Sequence, residues 1–220
     1  LKGRIPLGVS FSFLITSPLV NEVAFVIMGG LFGWKLALIY AGAGILLGVL
    51  GGMLLGAMKL EKNLILEEFS GNGKVEILPK KFVDKLKYAF LEGRKTFKKL
   101  VPYVLGGVML GALIHGYVPQ DFFINYVGKY NLFAVPMAVL LGVPVYAGCS
   151  TIAPIIFSIT QNGIPLGTSL AFMMAIAGLS LPEALILKRV MKTKLLLIFF
   201  GMVAFGIILI GYGFNLLTYN

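Results

Sequence analysis

The chain has 220 residues, of which 58% are hydrophobic and only 13% charged, and its mean hydropathy is +0.93. A soluble enzyme carries about 25% charged residues and a disordered chain is polar, so both classes are excluded and an integral membrane protein is indicated. The formal charge of +10 would suggest nucleic acid in a soluble protein; here it fits basic loops beside anionic lipid.

In chain order, apolar segments run over Ile5–Phe32, Leu36–Met58, Leu100–Tyr117, Phe133–Ile159, Ile164–Leu187 and Leu195–Leu217, about six in all. The first is about 28 residues, roughly 42 Å as a helix, and exceeds a 30 Å hydrocarbon core. It contains Thr16-Ser17-Pro18 and then Asn21-Glu22. Proline removes a helix bond and asparagine is a strong N-cap, so two half-helices with a break near Ser17–Asn21 are expected. Trp34 and Lys35 mark a short turn with interfacial anchors. The polar stretch Lys59–Lys99 holds eleven of the 19 basic residues, which makes it cytoplasmic. Within it Gly71-Asn72-Gly73 is a turn and Phe82–Leu100 an amphipathic, surface-lying helix, either a solvated linker or a lipid-sensing element. Val118–Asn131 is an external loop. Gly148-Cys149-Ser150-Thr151, followed by Pro154, is a further break, with Ser150 or Thr151 as the cap of the half-helix beyond it. Ser180-Leu181-Pro182-Glu183 has capping-box spacing with proline in the first turn.

Shifting the sequence by 159 positions aligns two stretches without a gap. Ile5-Pro6-Leu7-Gly8 falls on Ile164-Pro165-Leu166-Gly167, Lys35-Leu36 on Lys194-Leu195, and Asn21 on Ser180. Roughly 13 of 46 positions match, which shared apolar composition does not explain for Pro, Gly, Ser and Lys. Two apolar segments precede the second copy, so equivalent halves would require about 60 more residues ahead of Leu1. If every segment crossed once, Lys188, Arg189, Lys192 and Lys194 would face outward, against the positive-inside rule. The conflict disappears if Phe133–Ile159 enters and leaves on one side, which makes the repeats inverted. The organisation is then 1–58, the C-terminal part of a first transmembrane repeat; 59–99, a basic cytoplasmic linker; and 100–220, a second transmembrane repeat.

Backbone broken at membrane depth must be enclosed by protein or line a wet cavity, and half-helix N-termini there present N–H groups to polar solutes. The candidate substrate- or ion-binding residues are therefore Ser17, Asn21, Glu22, Cys149, Ser150, Thr151, Ser180 and Glu183. Asn21, Ser150 and Ser180 would orient half-helices. Glu22 and Glu183 read either as helix-terminal residues or as proton or cation ligands. Cys149 is either a packing residue or a soft-metal or thiophilic ligand. One Cys and one His build no multi-ligand zinc site, and a single Cys makes no intramolecular disulfide. GxxxxGK[ST], HExxH and GxSxG are all absent, so no catalytic engine is visible and an enzyme is not expected. No cofactor is implied.

Phe13-Leu14-Ile15-Thr16-Ser17-Pro18-Leu19-Val20-Asn21-Glu22 resembles the first-half signature of the predicted permease family that includes the trivalent organoarsenical efflux permeases (ArsP-type). Gly142-Val143-Pro144-Val145-Tyr146, Gly163–Gly167, Leu170-Ala171-Phe172-Met173-Met174, Ser180-Leu181-Pro182-Glu183 and Gly211-Tyr212-Gly213-Phe214-Asn215 are similar to its second half. The resemblance implies a multi-pass inner-membrane permease with two related halves. In that family a Cys-Ser motif lies ahead of the first Gly-x-Pro-Leu-Gly, a region that would precede Leu1, and arsenical exporters bind the trivalent arsenic through thiols. Cys149 is the one candidate thiol here, and family members often have no cysteine at that place. The expected fold is thus all-α and polytopic, with an inverted internal repeat and broken helices. The expected function is secondary-transport export of a small solute, with trivalent organoarsenicals or other thiophilic species as the substrate the resemblance implies. Its partners are the bilayer and the solute, with room for a homo-oligomer and none for nucleic acid. The alternatives are a membrane subunit of a larger complex with a separate ATPase or redox protein, docked on Lys59–Lys99, and a non-transporting scaffold.

Overall fold

The computed structural model describes residues 6–65, 132–145, 149–161, 163–188 and 190–218, with single positions between 83 and 101. The loop 118–131, most of the Leu100–Tyr117 segment and the Gly71 turn lie outside them. The described residues are helical, with no strand. The helices are α1 Leu7–Leu19, α2 Glu22–Phe32, α3 Trp34–Ala57, α4 Ala134–Gly142, α5 Cys149–Gln161, α6 Leu166–Gly178, α7 Leu181–Leu187 and α8 Thr193–Thr218. A short 3-10 turn, Leu60–Asn63, follows α3.

α3, the α6–α7 stretch Leu166–Leu187, and α8 are each long and apolar enough to cross a membrane, and α1 with α2 forms a further span bent by 42°. The outward surface agrees with a lipid setting. Leu38, Leu46, Met53 and Leu54 on α3 are 58–64% exposed, far more apolar surface than one soluble helix presents to water. The integral-membrane reading of the composition therefore holds.

Helix pairs meet through small residues, as expected where lipid supplies no hydrophobic drive and close backbone approach must hold helices together. α3 turns Gly44, Gly48, Gly51, Gly52 and Gly56 inward. A methyl group on Gly48 or Gly52 would overlap the hydroxyl of Thr16 or Ser12 on α1, and one on Gly8 would stand 2.9 Å from the Gly52 carbonyl oxygen. The start of α1 thus lies at the end of α3. On the other side, a methyl group on Gly167 would overlap the Gly211 carbonyl and stand 2.6 Å from the Asn215 nitrogen. Asn215 clamps the same place: its Oδ1 accepts from the Thr168 N–H at 3.2 Å, and its Nδ2 donates to Thr168 Oγ1 at 3.1 Å. The start of α6 therefore lies at the end of α8.

Backbone bonds fix how these pairs are oriented. The Ile65 N–H donates to the Val190 carbonyl and the Lys192 N–H to the Asn63 carbonyl, both at 2.9 Å, around an antiparallel bridge between Leu64 and Met191. The end of α3 is thereby tied to the residues just ahead of α8, so α3 and α8 run antiparallel. Exposed Lys59, Lys62, Lys188, Lys192 and Lys194 gather on that face. Gly33 makes the tight α2–α3 turn at the opposite face with φ +90, a conformation open to glycine at little cost. Trp34 beside it is 57% exposed and packs on Phe25 with ring centroids 5.8 Å apart, as an interfacial anchor should.

α4 and α5 have 9 and 13 residues, about 14 and 20 Å, and neither crosses a 30 Å core. α4 starts where the Tyr212 hydroxyl donates to the Leu132 carbonyl, near the end of α8. It runs to Gly142, which fits against Ala175, Ile176 and the Phe172 carbonyl of α6. α5 ends back at the face of Gly33, where Phe157 meets Phe32 edge-on at 5.2 Å. α6 is enclosed by these neighbours, with all but two of its thirteen residues buried.

Candidate functional site

Three interruptions of helix gather in the middle of the bundle. The first lies between α1 and α2. α1 continues through Pro18 and ends at Leu19, so the break falls within the expected Ser17–Asn21 range, at its far end because the Val20 N–H still reaches the Thr16 carbonyl at 2.8 Å. Proline lacks one helix donor but leaves the neighbouring bonds intact. Asn21 then caps α2 with extended backbone, its Oδ1 accepting from the Ala24 N–H at 2.7 Å.

The second interruption lies between α6 and α7. Ser180 stands at the N-cap position with extended backbone, yet its side chain makes no cap bond. An N-cap side chain bonds the N–H of the second or third helical residue. Pro182 is the second residue here and has no N–H, so half of that choice is gone. The capping box expected for Ser180 and Glu183 is not made by either side chain among the described residues. Asn21→Ala is therefore expected to cost about 1 kcal/mol of stability and Ser180→Ala clearly less. Thermal unfolding of the two purified variants in detergent, side by side, checks the order.

The third interruption lies between α4 and α5. The Val143 carbonyl, just past α4, accepts from the Leu181 N–H at 3.1 Å, so this interruption abuts the second. The first meets the second through Leu19, whose Cδ2 would be 2.9 Å from a methyl group on Gly178.

The sequence-predicted residues distribute around this meeting point. Ser17 on α1 and Glu22 at the first position of α2 are exposed, Asn21 and Glu183 are half-buried, and Ser180 is buried at 4% exposure. Among the described residues no hydrogen bond or ion pair holds the Glu183 carboxylate. Cys149, Ser150 and Thr151 already belong to α5, which puts Ser150 and Thr151 in its first turn instead of ahead of it as caps. The side chains of these three lie outside the described residues. Among the described residues no group of three or more His, Cys, Asp or Glu comes together.

Sequence reasoning missed the Val143 carbonyl, the Thr168–Asn215 clamp and the Leu64–Met191 bridge. The glycines at 44, 48, 52 and 56, four apart on one helix face, were a usable signal for the α1–α3 seam.

A UPF0718 protein of Methanocaldococcus jannaschii is 26% identical over 129 residues, which is 59% of this chain and 35% of the relative. The matched stretch is thus about a third of that relative's length. No solved structure matches the chain. The profile of ArsP_1, described as a predicted permease, matches residues 1–216: the chain belongs to this family of predicted membrane permeases.

Proposed function

We propose that the chain forms the solute path of a secondary transporter, an exporter of the inner membrane and not an enzyme, with its site where the three helix interruptions meet. That meeting carries the reading. Each interruption frees backbone groups that hydrocarbon cannot satisfy, so the place has to be protein-lined or wet. The N-termini of α2 and α5 present N–H groups and partial positive charge there, and Glu183 supplies a carboxylate with no partner among the described residues.

The inverted repeat belongs to the same proposal. Helices start at 7, 22 and 34 in one half and at 166, 181 and 193 in the other, each 159 apart. Leu19 touches Gly178 and Leu47 abuts Gly206, and each of these pairs is also 159 apart. Residues that touch their own repeat partners lie on the axis relating the halves. Leu19 is at the middle of the α1–α2 span, and Leu47 and Gly206 are at the middles of α3 and α8. An axis through two points at mid-depth lies in the membrane plane, which supports inversion, with α4 and α5 as a hairpin entering and leaving on one side. The lysine-bearing face is then cytoplasmic. In intact cells an impermeant thiol reagent is expected to label Lys35→Cys and to leave Lys192→Cys unlabelled in a Cys149→Ser background. Labelling of both from outside overturns the inversion.

Trivalent organoarsenicals, or another thiophilic solute, are the proposed substrate. Everted vesicles carrying the full-length protein should accumulate trivalent methylarsenical above empty-vector vesicles and in preference to inorganic arsenite. Cys149→Ser should reduce that uptake if the thiol is a ligand. Vesicles with folded protein and no accumulation would remove the arsenical.

A further inference from the structure

The segment between the halves carries a surface that the solute path does not use. The described residues between 83 and 101 are helical, and Val83, Leu86, Phe90 and Phe97 are 63–73% exposed. At about 100° per residue these four fall within about 60° of arc. Lys87, Arg94 and Lys98, also exposed, fall along one border of the same arc. Residues 80–99 hold eight Lys or Arg against two acidic residues.

We infer that this helix is a docking element for anionic phospholipid, lying in the headgroup layer of the cytoplasmic leaflet with Val83, Leu86, Phe90 and Phe97 in the acyl boundary. The chemistry fits on both counts. A narrow aromatic and aliphatic stripe enters the acyl edge, while long basic side chains along its border reach back to phosphate. The tethers favour lipid over a soluble partner. On one side the chain leaves the Leu64–Met191 bridge on the lysine-bearing face; on the other, Val101 opens the apolar stretch that runs to Tyr117. A helix tethered between that bridge and an apolar sequence stretch meets the bilayer surface at high effective concentration. A basic interfacial helix then strengthens its docking with each anionic headgroup it meets.

The test reads docking, not flux, so it stands or falls apart from the transport reading. The full-length protein, with Cys149→Ser and any other native cysteines replaced, carries Phe90→Cys labelled with an environment-sensitive fluorophore. It is reconstituted into vesicles of phosphatidylcholine alone and of phosphatidylcholine with phosphatidylglycerol, each with brominated acyl chains as quencher. Quenching several-fold stronger in the anionic vesicles is expected. The triple variant Lys87→Glu, Arg94→Glu and Lys98→Glu should bring it down to the phosphatidylcholine level. Equal quenching in both lipids overturns the anionic specificity. No quenching in either, or fluorophore burial that appears only when a soluble extract is added, overturns lipid docking altogether. A label at Leu38→Cys, on the lipid-facing side of α3, reports whether each preparation is inserted and folded.

Discussion

Gly167→Val will leave little correctly folded protein, whereas Gly201→Val will be tolerated. Both replacements add the same atoms to an apolar helix, so lipid solubility and helix propensity change alike. Their surroundings differ. At Gly201 nothing stands within 4 Å of the added carbon. At Gly167 the carbon overlaps the Gly211 carbonyl and stands 2.6 Å from the Asn215 nitrogen and 2.7 Å from its Oδ1. Two of these obstacles are backbone atoms of a 26-residue helix, which cannot swing aside as a side chain can. Separating α6 from α8 would also open the Thr168–Asn215 clamp and disturb Val135, which fits against Gly211. A cost of about 3 kcal/mol or more is expected, at the upper end for overpacking. Gly8→Val should cost less, because its nearest obstacle is 2.9 Å away. Heat challenge followed by size-exclusion chromatography of fluorescent fusions gives the ranking. Equal midpoints for Gly167→Val and Gly201→Val would mean that close helix approach does not hold this half together.

Glu183→Gln should lower solute flux at least about tenfold while leaving the thermal midpoint within a few degrees of wild type. The substitution separates two roles. As a helix-terminal residue, glutamine serves nearly as well as glutamate, since the Glu183 side chain makes no cap bond for glutamine to lose and the charge at a helix start is worth only about 0.3–1 kcal/mol. As a carrier of charge or of a proton, glutamine is inert. Glu183 sits in the first turn of α7, inside a span, with no partner for its carboxylate among the described residues. A carboxylate at such depth costs about 3 kcal/mol, so one retained there is expected to be used. Flux is measured in everted vesicles across an imposed proton gradient and normalised to folded protein. Undiminished flux by a well-folded Glu183→Gln protein would take this residue out of the transport cycle and leave it a purely structural helix end.

What could be read from residues alone divides along the range of the forces involved. The interruption at Asn21 was legible because capping is local: the side chain and the amide it serves are three residues apart. The interruption after α6 was legible in place but not in detail, since Pro182 withdraws an amide that the capping-box pattern assumes. The start of α5 is expected beyond Ser150 or Thr151 but lies at Cys149, for a related reason: a hydroxyl in the first helical turn looks, in sequence, like one just before it. Contacts across the chain were not legible. Nothing near Val143 announces that its carbonyl will serve the Leu181 N–H, and nothing in Asn63-Leu64-Ile65 foretells pairing with the residues ahead of α8. Asn215 looked like part of a C-terminal motif until Thr168 was found beside it. The 159-residue offset proposed for the repeat matches helix starts at 7, 22 and 34 and at 166, 181 and 193, and it was visible in sequence because glycine and proline recur at matching steps.

The shortness of α4 and α5 bears on how the chain is made. A helix of 9 or 13 residues exposes unsatisfied ends if it enters lipid alone. α4 packs on α6 and α8, both synthesised later, whereas α5 packs on α6 and on the earlier α2, where Phe157 meets Phe32. α4 therefore gains these protein walls only once Ala175, Ile176 and Gly211 have been threaded in to receive it. The proposed solute path is then expected to be completed late in synthesis. Chains halted before α8 is complete would carry their first half in place and their path unformed.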